Sequence, residues 1–320
     1  MIIQTGQRTD IPAFYSEWFY NRIKEGFVLV RNPYNPLQVT KYLLNPDLVD
    51  LICFCSKNPG PMLKDIDLLK DFGMFWYLTI TAYEKDMEPN VPKKEKVIED
   101  FIHLSEIVGK NSMGWRYDPI IINDKYTVSY HLKEFEKMAS AMSGYTDICV
   151  ISFVDLYSKV RINAPEIARV ERNDKLILGK EMISIAKQYG MSVRPCGEGE
   201  FLTEYGADCR GCMTKDVYEK ALGKSLNIPA FKPQRKECAC YLSADIGAYN
   251  SCMHLCHYCY ANYDAESVKN NHAKHDKNSP FLIGGHIEGE TIHVAKQTSW
   301  IDGQLKFDLR ETQNKSQTIV

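Results

Sequence analysis

The sequence lacks long apolar runs and any strong excess of charge of one sign. No stretch of about 18 uninterrupted apolar residues is present, which excludes a typical membrane-spanning helix. The first ten residues, MIIQTGQRTD, have neither the basic start nor the apolar core of a secretory signal. We therefore expect a cytoplasmic protein with no membrane partner.

The balance of charge also lacks a bias that would point to a partner. A net charge of -2 gives no overall attraction to nucleic acid. A local basic patch at Lys232, Arg235 and Lys236 leaves nucleic-acid binding open. A solvated loop is the simpler explanation of the same three residues.

Low-complexity tracts are missing as well, and 44% of the residues are hydrophobic. Such a proportion is enough to form a core, which excludes a disordered chain. The length of 320 residues fits one large α/β domain with a smaller appendage.

Cysteine, by contrast, is abundant and unevenly distributed. Eight of the eleven cysteines lie between residues 196 and 259, in one fifth of the chain. In a reducing compartment, an odd number of cysteines in a large chain indicates metal binding or catalysis more than disulfide bonds. The other three, Cys53, Cys55 and Cys149, have apolar neighbours and are interpreted as buried, inert thiols.

Up to about residue 195, short apolar runs alternate with segments of helical period, which is typical of repeated βα units. The predicted strands cover residues 2–5, 51–55, 75–81, 114–117, 148–154 and 192–194, and residues 28–30 and 39–43 form an inserted hairpin. We expect a partial (β/α)6-like parallel barrel over 1–195, incomplete compared with the full eight units of a TIM barrel. A cysteine-rich metal-binding segment over 196–263 and a tail over 264–320 complete the predicted organisation.

Polar residues follow five of the six predicted strands. In a parallel sheet, the loops after the strands converge on one edge, where active sites lie. Each residue alone is more often a helix cap or part of a structural ion pair than a site residue, but together they form a polar mouth. They are Gln7, Arg8, Thr9, Asp10, Lys57, Asn58, Arg116, Asp118, Asp155, Glu198 and Glu200.

The most specific motif is Cys252-Met-His-Leu-Cys256-His-Tyr-Cys259, a C-x3-C-x2-C pattern. Three thiolates in a short loop can hold three corners of a cubic [4Fe–4S] cluster and leave the fourth iron open to a small molecule. Structural zinc instead takes four protein ligands. His254 and His257 are interpreted as residues that line such a cluster, with zinc ligation as the alternative.

This motif, with Tyr258 as the aromatic residue before its last cysteine, resembles the radical S-adenosylmethionine (radical SAM) superfamily. More closely, RTDIPAFY, WRYDPI and CxCxxSxDIGxYxxCxHxCxYCYAN resemble an uncharacterised bacterial branch of it whose cluster motif is C-terminal. The resemblance implies reductive cleavage of S-adenosylmethionine to a 5′-deoxyadenosyl radical, which abstracts hydrogen from an unknown substrate. It also implies a low-potential electron donor such as a ferredoxin or flavodoxin.

The position of the motif departs from the usual pattern of that superfamily, which has the cysteines in the loop after the first strand. If the chemistry is retained, the late segment must fold back over the barrel mouth and bring Cys252, Cys256 and Cys259 near Arg8 and Asp10. These two residues are the catalytic candidates. The candidates for holding S-adenosylmethionine, besides Tyr258, are Asn58, Arg116 and Asp118.

Five further cysteines are available for a second centre. The closer resemblance implies that four of them are ligands and leaves Cys209 as the spare. An auxiliary iron–sulfur cluster is the preferred interpretation, and a tetrahedral zinc site is the alternative. The four are Cys196, Cys212, Cys238 and Cys240.

Two other functions compete with the radical SAM enzyme. One is a non-catalytic binding module stabilised by zinc or an iron–sulfur centre, with nucleic acid as a candidate ligand. The other is a barrel hydrolase that uses Asp118, Asp155 or Glu198 as an acid or base, although no pairing of carboxylates in the sequence marks these residues.

Overall fold

The computed structural model describes residues 1–230, 238, 240–241 and 244–303. The strands are β1 (Ile2–Gln4), β2 (Phe27–Arg31), β3 (Gln38–Leu43), β4 (Leu51–Ser56), β5 (Gly73–Thr79), β6 (Met113–Ile120), β7 (Ile148–Phe153), β8 (Ser192–Pro195), β9 (Ala244–Asp245) and β10 (Thr291–Val294). The α-helices are α1 (Ile11–Phe14), α2 (Ser16–Glu25), α3 (Gly60–Leu63), α4 (Lys94–Val108), α5 (Val128–Ala141), α6 (Ser158–Asn163), α7 (Arg172–Gln188), α8 (Lys215–Leu222) and α9 (Ala265–His272).

Seven strands form one parallel sheet in the order β8-β7-β6-β5-β4-β1-β9. The predicted α/β class is confirmed, and all six predicted strands are present with shifts of a few residues at their ends. The seventh strand, β9, has two residues and pairs with β1. Within the described ranges, β8 and β9 each have one neighbour in this sheet, so it is not a closed barrel.

The central strands are apolar on both faces because both faces are covered. In β4, β5 and β7, successive side chains enter two separate hydrophobic clusters, as the alternation along a strand requires. One cluster contains Phe54 and Trp76 and packs against the helices of the βα units. The other contains Tyr77 and Val150 and packs against α8 and three cysteines of the second set.

The predicted hairpin is present as the antiparallel pair β2 and β3. It forms a separate three-stranded sheet with β10, which pairs parallel to β3. The Asp10 carboxylate caps α1, and Gly190, with φ 76°, follows α7. Across the described residues, no helix has both the length and the apolar character needed to cross a bilayer.

Candidate functional site

The loop that carries the C-x3-C-x2-C motif contacts segments that follow β1 and β5. His254 Nε2 lies 2.8 Å from Asp10 Oδ2, just after β1. The Tyr258 hydroxyl donates a hydrogen bond to Glu88, after β5. The Tyr260 hydroxyl donates to the Gln7 carbonyl at 2.6 Å. The loop therefore lies at the carboxyl edge of the sheet, where the polar residues converge.

Asp10 is the first anchor of this loop. Its Oδ1 accepts hydrogen bonds from Ala13 N at 3.0 Å and from Ser56 Oγ at 2.8 Å. Its Oδ2 accepts from Lys57 N at 2.8 Å, in addition to its contact with His254. One buried carboxylate thus joins the start of α1, the end of β4 and the cysteine loop.

Glu88 is the second anchor. Its Oε1 receives hydrogen bonds from Lys57 Nζ at 2.8 Å and Thr81 Oγ1 at 2.7 Å, together with the Tyr258 hydroxyl. Burial opposes the charge of Glu88, but the Lys57 ammonium and these hydrogen bonds outweigh it and lower the pKa of the carboxyl. Burial likewise opposes the charge of Lys57, yet Glu88 and the Cys256 sulfur raise the pKa of its ammonium. A buried ion pair therefore lies beneath the loop.

The thiols of Cys252, Cys256 and Cys259 are half-buried. Burial raises the pKa of Cys252, and the charges of Asp10 and of the other two thiolates raise it further. The three sulfurs are therefore within electrostatic reach of each other. Leu255 between them has φ 55°, an uncommon left-handed conformation for a non-glycine residue, which turns the chain between the first two cysteines.

Several polar groups lie around the loop, and some of them have no hydrogen-bond partner. The Ala261 N–H donates to Cys259 Sγ at 3.3 Å. Of the buried side-chain atoms that have no hydrogen-bond partner among the described residues, four belong to this loop or to the segment after β1: Gln7 Nε2, Thr9 Oγ1, His254 Nδ1 and Asn262 Oδ1. Such orphaned polar atoms are costly in a folded protein unless a ligand or water satisfies them.

The catalytic candidates have different surroundings from each other. Asp10 contacts the cysteine loop directly, whereas Arg8 Nε pairs with Asp245 Oδ1 at 2.7 Å. Arg8 thereby connects the end of β1 to β9. The expected proximity of Asp10 to the motif is present through His254, and Arg8 contacts the strand that leads into the motif.

The candidates for S-adenosylmethionine binding are divided between two places. Asn58 follows β4, and its N–H donates to Ser56 Oγ at 2.9 Å, beside the Asp10 anchor. Arg116 pairs with Asp118 at 2.6 Å, and its other nitrogen lies 3.6 Å from Cys212 Sγ. Asp118 is also one of the charges that raise the Lys57 pKa. Arg116 thus faces the second cysteine set, and Asp118 lies between the two sets.

The second cysteine set is tightly packed. Cys212 Sγ lies 3.7 Å from Cys196 Sγ and 3.2 Å from Cys240 Sγ. The Cys240 thiol donates a hydrogen bond to the Cys238 sulfur, and this bond lowers the pKa of the Cys238 thiol to about 6. The structure therefore brings together the four predicted ligands. Over the described ranges, no three His, Cys, Asp or Glu side chains already enclose a metal-ion position.

Glu198 and the basic patch are two further candidates from the sequence. Glu198, a candidate hydrolase acid or base, accepts from Phe153 N at 2.9 Å and pairs with Lys175 at 2.8 Å, which is a structural arrangement. The basic patch of Lys232, Arg235 and Lys236 lies outside the described residues.

Glu88 and Thr81 are site residues that the sequence reasoning missed. Both belong to the loop after β5, the third of the six predicted strands. That loop was the one strand end left out of the polar mouth. The rule that polar residues after parallel strands converge on one edge would have pointed to Glu88, whereas Thr81 falls inside the predicted strand 75–81.

Comparison with known proteins gives a family without a described activity. No curated protein matches the chain. The model of a family described as a domain of unknown function (DUF1848) matches residues 2–261, which include the whole parallel sheet and both cysteine sets. The chain therefore belongs to the DUF1848 family.

Proposed function

We propose that this protein is a radical SAM enzyme whose [4Fe–4S] cluster is held by Cys252, Cys256 and Cys259. The observation that carries the proposal is the attachment of the motif loop to Asp10 and Glu88 at the carboxyl edge of a parallel sheet. This edge is where α/β proteins bind their ligands. The C-x3-C-x2-C motif is late in the sequence, yet its loop lies at the edge of the sheet where a ligand would bind.

The three thiols fit a cluster with one open corner. They are half-buried, they lie within electrostatic reach of each other, and Cys259 Sγ already accepts a backbone N–H. Hydrogen bonds of this kind to cluster sulfurs tune iron–sulfur centres. Bound iron would supply the positive charge that lets three neighbouring thiols ionise together.

When bound, the cluster and S-adenosylmethionine would supply a 5′-deoxyadenosyl radical, using one electron from a low-potential donor such as a ferredoxin or flavodoxin. The chain's own residues position and enclose this chemistry. Asp10 holds the loop through His254, and Glu88 holds it through Tyr258. In this proposal Asp10 and Arg8 are positioning residues, and the unpartnered groups of Gln7 and Thr9 are available to a bound molecule.

We propose further that the parallel sheet is a partial barrel. Consecutive parallel strands are neighbours from β4 to β8, which is the order of a barrel and differs from that of a doubly wound sheet. Cysteines that adjoin the two edge strands also meet over the middle of the sheet. Both observations support a sheet that curves toward closure.

The test is an anaerobic assay for 5′-deoxyadenosine after iron–sulfur reconstitution, with S-adenosylmethionine and a chemical reductant. We expect product from the native chain without added substrate, and a loss of at least about 100-fold in Cys256→Ala. Cys209→Ala is the matched control, because Cys209 is half-buried and outside both cysteine sets, and it should retain activity. A native chain without iron after reconstitution, or equal product from Cys256→Ala, contradicts the proposal.

A further inference from the structure

The four thiols of the second set come from segments that are far apart in sequence but meet over one face of the sheet. Cys196 directly follows edge strand β8, and Cys240 precedes edge strand β9 by four residues. Cys212 lies between them and contacts both sulfurs. Three of the four side chains are fully buried, with exposed fractions of 2% for Cys212, 7% for Cys238 and 4% for Cys240.

Two distances between these sulfurs can be compared with those around one tetrahedral ion. Four thiolates that bind zinc at about 2.3 Å stand about 3.8 Å apart along the edges of the tetrahedron. The 3.7 Å between Cys212 Sγ and Cys196 Sγ is close to that value, whereas the 3.2 Å between Cys212 Sγ and Cys240 Sγ is shorter. In a cubic cluster each thiolate binds a different iron, so its sulfurs stand farther apart than ligands that share one ion.

The surroundings suit the charge of such a centre. Zinc with four thiolates carries a net negative charge, which a buried site must balance with cations and hydrogen-bond donors. The Arg116 guanidinium lies 3.6 Å from Cys212 Sγ, and the Met213 N–H donates to Cys240 Sγ at 3.3 Å. The Tyr77 hydroxyl, from the middle of the sheet, donates to the Cys212 carbonyl.

We propose that Cys196, Cys212, Cys238 and Cys240 bind a single structural zinc ion, in place of the auxiliary iron–sulfur cluster that the sequence favours. The ion joins the segment after β8 to the segment before β9 across the face of the open sheet. Between β8 and β9, regular structure in the described residues consists of α8 and one short 3-10 helix, so metal coordination supplies cohesion that a small apolar core cannot. The zinc site itself does not depend on the proposed function. Only its suggested role, which is to hold the segment that leads into the C-x3-C-x2-C loop, rests on that function.

The test uses a full-length variant in which Cys252, Cys256 and Cys259 are all replaced by alanine, so that the first centre is absent. Purified without added metal, it should contain about one zinc per chain, with zinc–sulfur distances of about 2.3 Å and four sulfur neighbours by X-ray absorption. Further replacement of Cys212 and Cys240 by serine should reduce zinc to near zero, whereas Cys209→Ser should leave it unchanged.

Three results would overturn the zinc proposal: binding of several irons per chain by the triple variant after reconstitution, absence of metal, or a Cys212–Cys240 disulfide. Zinc content and X-ray absorption are measured on folded protein that retains all four second-set cysteines. These two measurements therefore test the zinc proposal even if the serine variant does not fold. Failure of the radical SAM proposal has a separate signature. If the radical SAM proposal is wrong, the native chain forms no 5′-deoxyadenosine but still contains zinc.

Discussion

At the scale of single residues, two buried carboxylates determine where the cysteine loop lies. Asp10 and Glu88 each bind groups from the βα units and one side chain from the loop. A buried carboxylate is stable only when hydrogen bonds or cations compensate for its lost hydration. The loop side chains His254 and Tyr258 therefore complete the two sites that they occupy.

Asp10→Ala should lower the free energy of unfolding by about 3 kcal/mol, because it leaves several buried donors without their acceptor. Asp10→Asn should cost less, since its amide oxygen can still accept from the Ala13 N–H and Ser56. Urea denaturation of the reconstituted protein measures both changes. In the same samples, iron content should fall for Asp10→Ala because His254 loses its anchor.

Asp47→Ala is the control for Asp10, because Asp47 is exposed and lies in a surface turn. It should change stability by less than about 0.5 kcal/mol. If Asp10→Ala unfolds at the same urea concentration as Asp47→Ala, Asp10 does not have the anchoring role assigned to it.

At the scale of elements, a small residue in one strand lets its neighbour reach the second cysteine set. Gly114 in β6 pairs with Tyr77 in β5. A Cβ at Gly114 would lie 2.3 Å from the Tyr77 ring. The ring thus lies across the glycine, and its hydroxyl reaches the Cys212 carbonyl. Close packing between strands and the position of the cysteine segment are therefore coupled.

Gly114→Ala should destabilise the protein by about 1–3 kcal/mol, because the buried Tyr77 ring must move away from the added methyl group. Thermal unfolding measures the loss. Tyr77→Phe should cost about 1 kcal/mol, the value of its hydrogen bond to Cys212. The loss of stability in the double variant should be smaller than the sum of the losses in the two single variants, since both substitutions act on the same contact.

Gly285→Ala is the matched control for Gly114, because a Cβ there would meet no atom within 4 Å. Its unfolding temperature should equal that of the native chain. An unchanged unfolding temperature in Gly114→Ala would mean that the Tyr77 ring can move freely, contrary to the coupling described above.

At the scale of the whole molecule, residues after the parallel sheet return to its first elements. Strand β10 extends the hairpin sheet through β3. The backbone N–H of Trp300 donates to Asp50 Oδ2 at 2.7 Å, and the same oxygen pairs with the N-terminal ammonium at 2.5 Å. The late chain therefore stabilises the fold far from the cysteine loop.

A chain that ends at residue 290 should lose about 3 kcal/mol of stability, because it lacks β10 and several backbone hydrogen bonds with it. Its reconstituted iron content should stay near that of the full chain, since Asp10 and Glu88 keep their contacts. A chain that ends at residue 303 retains these contacts and should unfold at a higher urea concentration than the chain that ends at residue 290. Equal stability of the two shortened chains would contradict this division of roles.

Sequence patterns alone determined the α/β class, the six principal strands and the inserted hairpin, because these follow from local alternation of apolar residues. The four second-set cysteines that the structure brings together were singled out by the family resemblance and not by a local pattern. The seventh strand escaped prediction because two residues carry no periodicity, and its existence depends on pairing with β1.

Only the tertiary structure decided how the late motif meets the early strands. The contacts of His254 with Asp10 and of Tyr258 with Glu88 join residues 244 and 170 positions apart, and no local pattern encodes them. The spacing of the second-set sulfurs is likewise a property of chain crossing in three dimensions. Sequence spacing specifies which side chains can bind a metal, whereas the distances that select the metal arise only when distant segments pack together.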